Sequence, residues 1–232
     1  GAFPNGLQGL LAAHEHEAFE VEVWDKAVLL DMDTPEDYLY LQSYHRRKSI
    51  PTPDECRQIL REAGAGEQVK EHCRVVAVIA GEMTDWLNKA GAGLDKDLIL
   101  AGALLHDIAR GEPAHAQVGA RLLEAMGYPL VAAVVGAHMD IEIDESYPLT
   151  EAEVVFLADK MVKGKYVASV KDRFAAALQK YQGDPEVCAA VAKRLRQADR
   201  IMNKIKKITG LSVESVPVAD FFKTDEGDEQ YA

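Results

Sequence analysis

The stretch Leu98-Ile-Leu-Ala-Gly-Ala-Leu-Leu-His-Asp-Ile-Ala109 constrains this chain more than any other. It is an almost unbroken apolar run with a histidine and an aspartate side by side near its end. A run of this length and character predicts a helix buried on most of its faces, from about Asp95 to Ala109. Water cannot solvate a carboxylate there. A buried ionised aspartate is costly unless it is paired or binds a metal. His106 and Asp107 therefore demand partners, and the rest of the chain can be searched for them.

The bulk properties bound the search. The 232 residues carry 26 Lys and Arg against 38 Asp and Glu, a formal net charge of −12. A general nucleic-acid surface needs a basic face, so nucleic acid is not an expected partner. A local basic pocket for a small phosphorylated ligand remains compatible with that charge. The three cysteines, Cys56, Cys73 and Cys188, are far apart, with no CxxC spacing. Neither a disulfide framework nor a cysteine zinc site is expected. No apolar run is long enough to cross a membrane, and a reduced, cytoplasmic setting is the expectation.

Four units are expected in order. In residues 1–45, Phe19-Glu-Val-Glu-Val23 alternates like a half-buried strand and Ala27-Val-Leu-Leu30 reads as a short buried strand. A helix should start after Thr34, with Pro35 at its first position. This makes a short α/β appendage. Residues 46–52 form a basic, proline-bearing linker. Residues 53–210 read as helix after helix, with no strand ladder. The first begins at a capping box, Thr52 with Glu55, and a second box is Thr150 with Glu153. Residues 211–232 are an acidic tail. The fold class is mainly α.

Several apolar helices carry a histidine or aspartate where the pattern calls for a hydrophobe. His72 falls in the stripe Val69, Val76, Ile79, Met83, Trp86. His106-Asp107 closes the opening run, His138 ends Leu130–His138, and Asp159 sits inside Val154–Val162. His115 lies in the first turn of the helix from Pro113. A lone inward histidine is ordinarily a satisfied core residue. Two buried carboxylates with four such histidines are a different matter. Imidazoles and carboxylates converging between helices suit a transition-metal site.

Two resemblances follow. His72, His106-Asp107 and Asp159, with the local text Leu104-Leu-His-Asp-Ile-Ala-Arg110 and Phe156-Leu-Ala-Asp-Lys160, resemble the H…HD…D signature of the HD superfamily of metal-dependent phosphohydrolases. With His115 and His138 the pattern is similar to the two-metal branch that includes diadenosine-polyphosphate hydrolases, although Met139-Asp140 stands where that branch often has Thr. The resemblance implies an HD-domain helical bundle. It also implies one or two divalent ions (iron, manganese, cobalt, nickel or zinc) held by His72, His106, Asp107, His115, His138 and Asp159, with Asp107 as the bridge. Separately, Leu29-Leu-Asp-Met-Asp-Thr-Pro-Glu-Asp-Tyr38 resembles the C-terminal end of the molybdenum-cofactor nucleotidyltransferases. That likeness implies that residues 1–45 are the remnant of an upstream nucleotidyltransferase-like domain, fused in a longer protein.

The implied activity is hydrolysis of a phosphoester or phosphoanhydride of a nucleotide or similar small molecule by a metal-bound hydroxide. His106, Asp107 and Lys160 are the expected catalytic residues, and Arg110, Lys160 and Arg173 the expected phosphate contacts. Asp140 reads as a solvated loop acid or an outer ligand. Lys163, Lys171 and the late set Lys193, Arg194, Arg196, Arg200, Lys204, Lys206 and Lys207 read as solvated helix surface. The other class of function is a regulatory module that binds nucleotide or metal without turnover.

Overall fold

A computed structural model describes residues 6–19, 21, 23, 26–46 and 48–213. Ten α-helices, two short 3-10 helices (Glu15–Glu17 and Lys26–Leu29) and one two-stranded hairpin occupy them: α1 Gly6–Ala13, α2 Pro35–Arg46, α3 Pro53–Glu62, α4 Glu67–Lys89, α5 Lys96–Leu105, α6 His115–Ala125, α7 Pro129–Ala137, α8 Glu151–Lys160, β1 Val162–Lys163, β2 Tyr166–Val167, α9 Val170–Lys180 and α10 Pro185–Thr209. The protein is mainly α, a helical bundle of the expected class.

The helix starts follow local chemistry. At α3 and α8 both capping boxes form: Thr52 accepts from Glu55 N and Thr150 from Glu153 N, and each glutamate reaches back to its cap. Such caps satisfy backbone donors that have no partner inside the helix. Asp95 caps α5 and Asp184 caps α10 in the same way. At α2, Thr34 and Asp37 exchange hydrogen bonds at 2.9 and 3.1 Å.

The core is a mutual packing of α4, α5, α7 and α8. α6 lies on α7, α3 on α5, and α10 on α8, α4 and α9. From Glu153 to Lys160 every residue of α8 is buried, which is why that segment shows no amphipathic stripe. Close approach of α5 and α7 depends on Gly102. A Cβ there would stand 2.5 Å from Val134 Cγ1.

Three expectations change. The run Ala27–Leu30 is not a strand but part of a 3-10 helix, Lys26–Leu29. Phe19, Val21 and Val23 are exposed, and none of the described residues before α3 forms a strand. An alternating pattern becomes a strand only beside another strand that pairs its backbone, and the described residues here offer none. The described part of the appendage is therefore helical. Next, the apolar run leaves the helix at Leu105, with His106 as the C-cap, and residues 107–110 continue as turns. Finally, the helical domain does hold a strand pair, β1 with β2, closed through Gly164 at φ +62°. The acidic tail from residue 214 lies outside the described residues.

Candidate metal centre

Two of the site's histidines are set by the helix ends that carry them, and a third by a hairpin carbonyl. His106 caps α5 and His138 caps α7. His106 Nδ1 bonds Ala103 O at 2.8 Å, and His138 Nδ1 bonds Val135 O at 2.6 Å. In both cases the ring folds back on the carbonyl three residues earlier. His72, in α4, bonds Gly164 O at 2.9 Å through Nδ1, so the small hairpin orients it. A carbonyl only accepts, so all three rings carry their proton on Nδ1 and turn Nε2 inward. Histidines that bind metals are commonly fixed in this manner.

The inward atoms converge on two carboxylates. His72 Nε2 is 3.1 Å from Asp159 Oδ1, and His106 Nε2 is 3.8 Å from the same oxygen. His106 Nε2 also lies 3.5 Å from Asp107 Oδ2. Across Asp107, Oδ1 lies 3.3 Å from His115 Nε2 and 3.6 Å from His138 Nε2. The ligand atoms of His72, His106 and Asp159 lie within 4.8 Å of one another, as do those of Asp107, His115 and His138. The two oxygens of Asp107 face different histidine sets.

This geometry places acceptors against acceptors. Among the described residues, His106 Nε2 and Asp107 Oδ1 are buried with no hydrogen-bond donor. Burial pushes His106 down to about 4, so a second proton does not fill the gap at neutral pH. Burial also opposes protonation of His72 and His115. At His115 it prevails and the pKa falls, whereas at His72 the hydrogen bond and charge of Asp159 outweigh it and the pKa rises. Burial works against ionisation of both aspartates, but the histidines and cations around them hold both well below the ordinary carboxylate range. A buried imidazole lone pair and a buried carboxylate oxygen without donors, one in each cluster, fit a cation. The donor set, imidazole nitrogen with carboxylate oxygen, suits a first-row divalent metal.

The expected cations take different places. Arg110 Nη1 donates to Asp107 Oδ2 at 2.8 Å from an exposed side chain at the rim. Lys160 is buried: Nζ donates to Asp159 Oδ2 at 2.6 Å and His138 O at 2.9 Å, and packs over the Phe156 ring. It holds Asp159 and His138 in place. Arg173 Nη1 donates to the carbonyls of Asp159 and Val162 and ties down the end of α8. A cleft of about 510 Å³ opens over the site, bounded in part by His72, Asp107, Arg110, Asp159, Lys160 and Arg173.

Two readings of the late basic cluster need correction. Lys204 is not solvated; it is 4% exposed, with Nζ 2.8 Å from both Glu153 oxygens. Arg194 is not bare surface either. It borders the cleft, and its Nε donates to Met139 O at 3.0 Å. Asp140 pairs with Lys193 and Arg194 at 3.0 and 3.5 Å and belongs to neither histidine cluster.

Residues 69–163 match the family model of the HD domain. That span contains His72, His106, Asp107, His115, His138 and Asp159, all the side chains of the two clusters. The match and the bundle agree with a domain type whose members are generally metal-dependent hydrolases. The chain is also 36% identical over 80 residues to a tRNA (cytidine(56)-2'-O)-methyltransferase of Picrophilus torridus, which covers 33% of this chain and 22% of that protein. It is 28% identical over 123 residues to an uncharacterized protein of Methanocaldococcus jannaschii, covering 46% of this chain and 73% of the other. The chain thus spans about a fifth of the first relative and nearly three quarters of the second. No solved structure matches. No helix among the described residues is long and apolar enough to cross a membrane.

Proposed function

We propose that this protein is a metal-dependent phosphohydrolase that cleaves a phosphoester or phosphoanhydride of a nucleotide or similar small molecule. The observation that carries the reading is the pair of donor-starved clusters joined by Asp107. His72, His106 and Asp159 would hold one divalent ion, His115 and His138 a second, and Asp107 would touch both. Ions so bound supply Lewis acidity toward phosphoryl oxygens and lower the pKa of water from 15.7 to about 7.

The protein's own groups do the remaining work. Lys160 and Arg173 fix the carboxylate and the backbone of Asp159. Arg110 stands at the rim, where its guanidinium can turn from Asp107 to an incoming phosphate. Val162, Phe174, Ala177 and Val191 give the cleft an apolar side that excludes water and can receive an uncharged part of the substrate.

A second reading has one observation in its favour. A stretch of this chain is similar to a small part of a relative whose name is a methyltransferase activity, so a stretch similar to part of this chain also occurs in a protein named for a different activity. In that reading the site binds metal or nucleotide without turnover. The discriminating experiment is metal analysis of the protein combined with assays on a panel of nucleotides and an aryl phosphate in manganese. Turnover that disappears in Asp107→Ala supports the hydrolase. Bound metal without turnover of any compound supports the module.

A further inference from the structure

The segment that matches the HD domain ends at residue 163, yet the cleft beside His72 and Asp107 is completed by residues of α10, a helix that begins at Pro185. Val191 and Arg194 are the residues of α10 that border it. Of the other cations of the cleft wall, Arg110 is paired with Asp107 at the rim, Lys163 is exposed on β1, and two more are held inside the framework of the site. Lys160 is buried on Asp159 and His138 O, and Arg173 is engaged with two carbonyls at the end of α8. Neither can swing to a ligand without releasing the site's own framework. Arg194 differs. Its Nε is bound to Met139 O and its Nη2 lies 3.5 Å from Asp140 Oδ2, which leaves Nη1 with no protein partner among the described residues.

A guanidinium anchored at one side and open at the other is ordered before a ligand arrives. Little entropy is then lost when it binds a planar or tetrahedral oxyanion. Its anchor is the residue directly after His138, so the position of Arg194 is tied to the site by one peptide unit. The protein is acidic overall, and an anion entering the cleft needs cations placed there specifically.

The geometry points to Arg194 as an anion-binding residue of the cleft, one that contacts the phosphate of the substrate and is supplied by α10 from outside the matched segment. This inference rests on the phosphohydrolase reading for the nature of the substrate, but not for its test. Asp140 is then a positioning residue that acts through Arg194.

The test is calorimetric titration of inorganic phosphate into the manganese-loaded full chain. Loss of one charge-assisted contact predicts roughly tenfold weaker phosphate binding in Arg194→Ala, with metal content unchanged. Arg194→Lys should recover part of that loss. Arg196→Ala, an exposed position on the same helix, should bind phosphate like the parent protein. Equal phosphate affinity in Arg194→Ala and parent overturns the inference, as does a parent protein that binds no phosphate. Arg194-dependent phosphate binding without hydrolysis of any substrate would remove the hydrolase reading and leave the anion site standing. Hydrolysis with Arg194-independent phosphate binding would do the reverse.

Discussion

His115 Nε2 and His138 Nε2 stand 3.2 Å apart, and both face Asp107 Oδ1. Because His138 spends its ring proton on Val135 O, only His115 can offer one between them. One proton cannot satisfy a lone pair and a carboxylate oxygen together. A divalent ion can. Manganese at about a hundredfold above its dissociation constant should therefore stabilise the parent protein by about 2.7 kcal/mol. Asp107→Ala removes the carboxylate proposed to touch both ions, so the melting shift should vanish and elemental analysis should find less than one ion per chain. Full metal occupancy in that variant would contradict the ligand assignment.

Gly102 lies where α5 meets α7, the two helices that end at His106 and His138. Gly102→Ala places a methyl group against Val134, and overpacking of this kind costs about 1–3 kcal/mol. Chemical denaturation should show that loss. Metal affinity should fall as well, because separating the helices separates the two rings. Destabilisation with undiminished metal affinity would show that the helix contact does not set the site.

Lys204 and Glu153 form a buried ion pair between α10 and α8, and Glu153 also serves the cap of α8. Removing one partner of such a pair costs about 3–5 kcal/mol, since the other charge stays buried. Lys204→Met should lose stability on that scale, and Lys204→Met with Glu153→Gln should regain part of it. A single variant within experimental error of the parent would mean that water reaches Glu153.

Ala114 precedes α6 and His115 with φ +54° and ψ +42°, a left-handed conformation that L residues adopt at a cost of about 1–2 kcal/mol. Glycine has no such cost but loses more freedom on folding. Ala114→Gly should raise stability by about 0.5–1 kcal/mol. Unchanged or lower stability would mean that the turn is not strained.

The site was more legible in the sequence than the frame around it. A buried aspartate inside an apolar run asks for a partner, His72 and Asp159 stand where a hydrophobe is called for, His138 closes an apolar run and His115 opens a helix. The end of α5 was not readable, because nothing after Leu105 breaks a helix until Gly111. The backbone turns there as the His106 ring takes the Ala103 carbonyl. The β1–β2 hairpin was too short to leave an alternating pattern, although Gly164 was its mark. Lys204 and Arg194 looked like their solvated neighbours on α10. What separates them is burial: Lys204 lies buried against Glu153 and Arg194 half-buried against Met139 O, while the paired Lys193, Arg200 and Lys207 stay exposed.

Three helices stop at this site: α5 at His106, α7 at His138 and α8 just past Asp159. Each therefore turns the negative end of its peptide dipoles toward the same small volume. The backbone field welcomes a cation before any side chain is counted, and it repels a phosphate. With the ions and substrate proposed above, the consequence would be an order of loading: a phosphate arriving ahead of the metals would meet a hostile field, and one following them a charge already reversed.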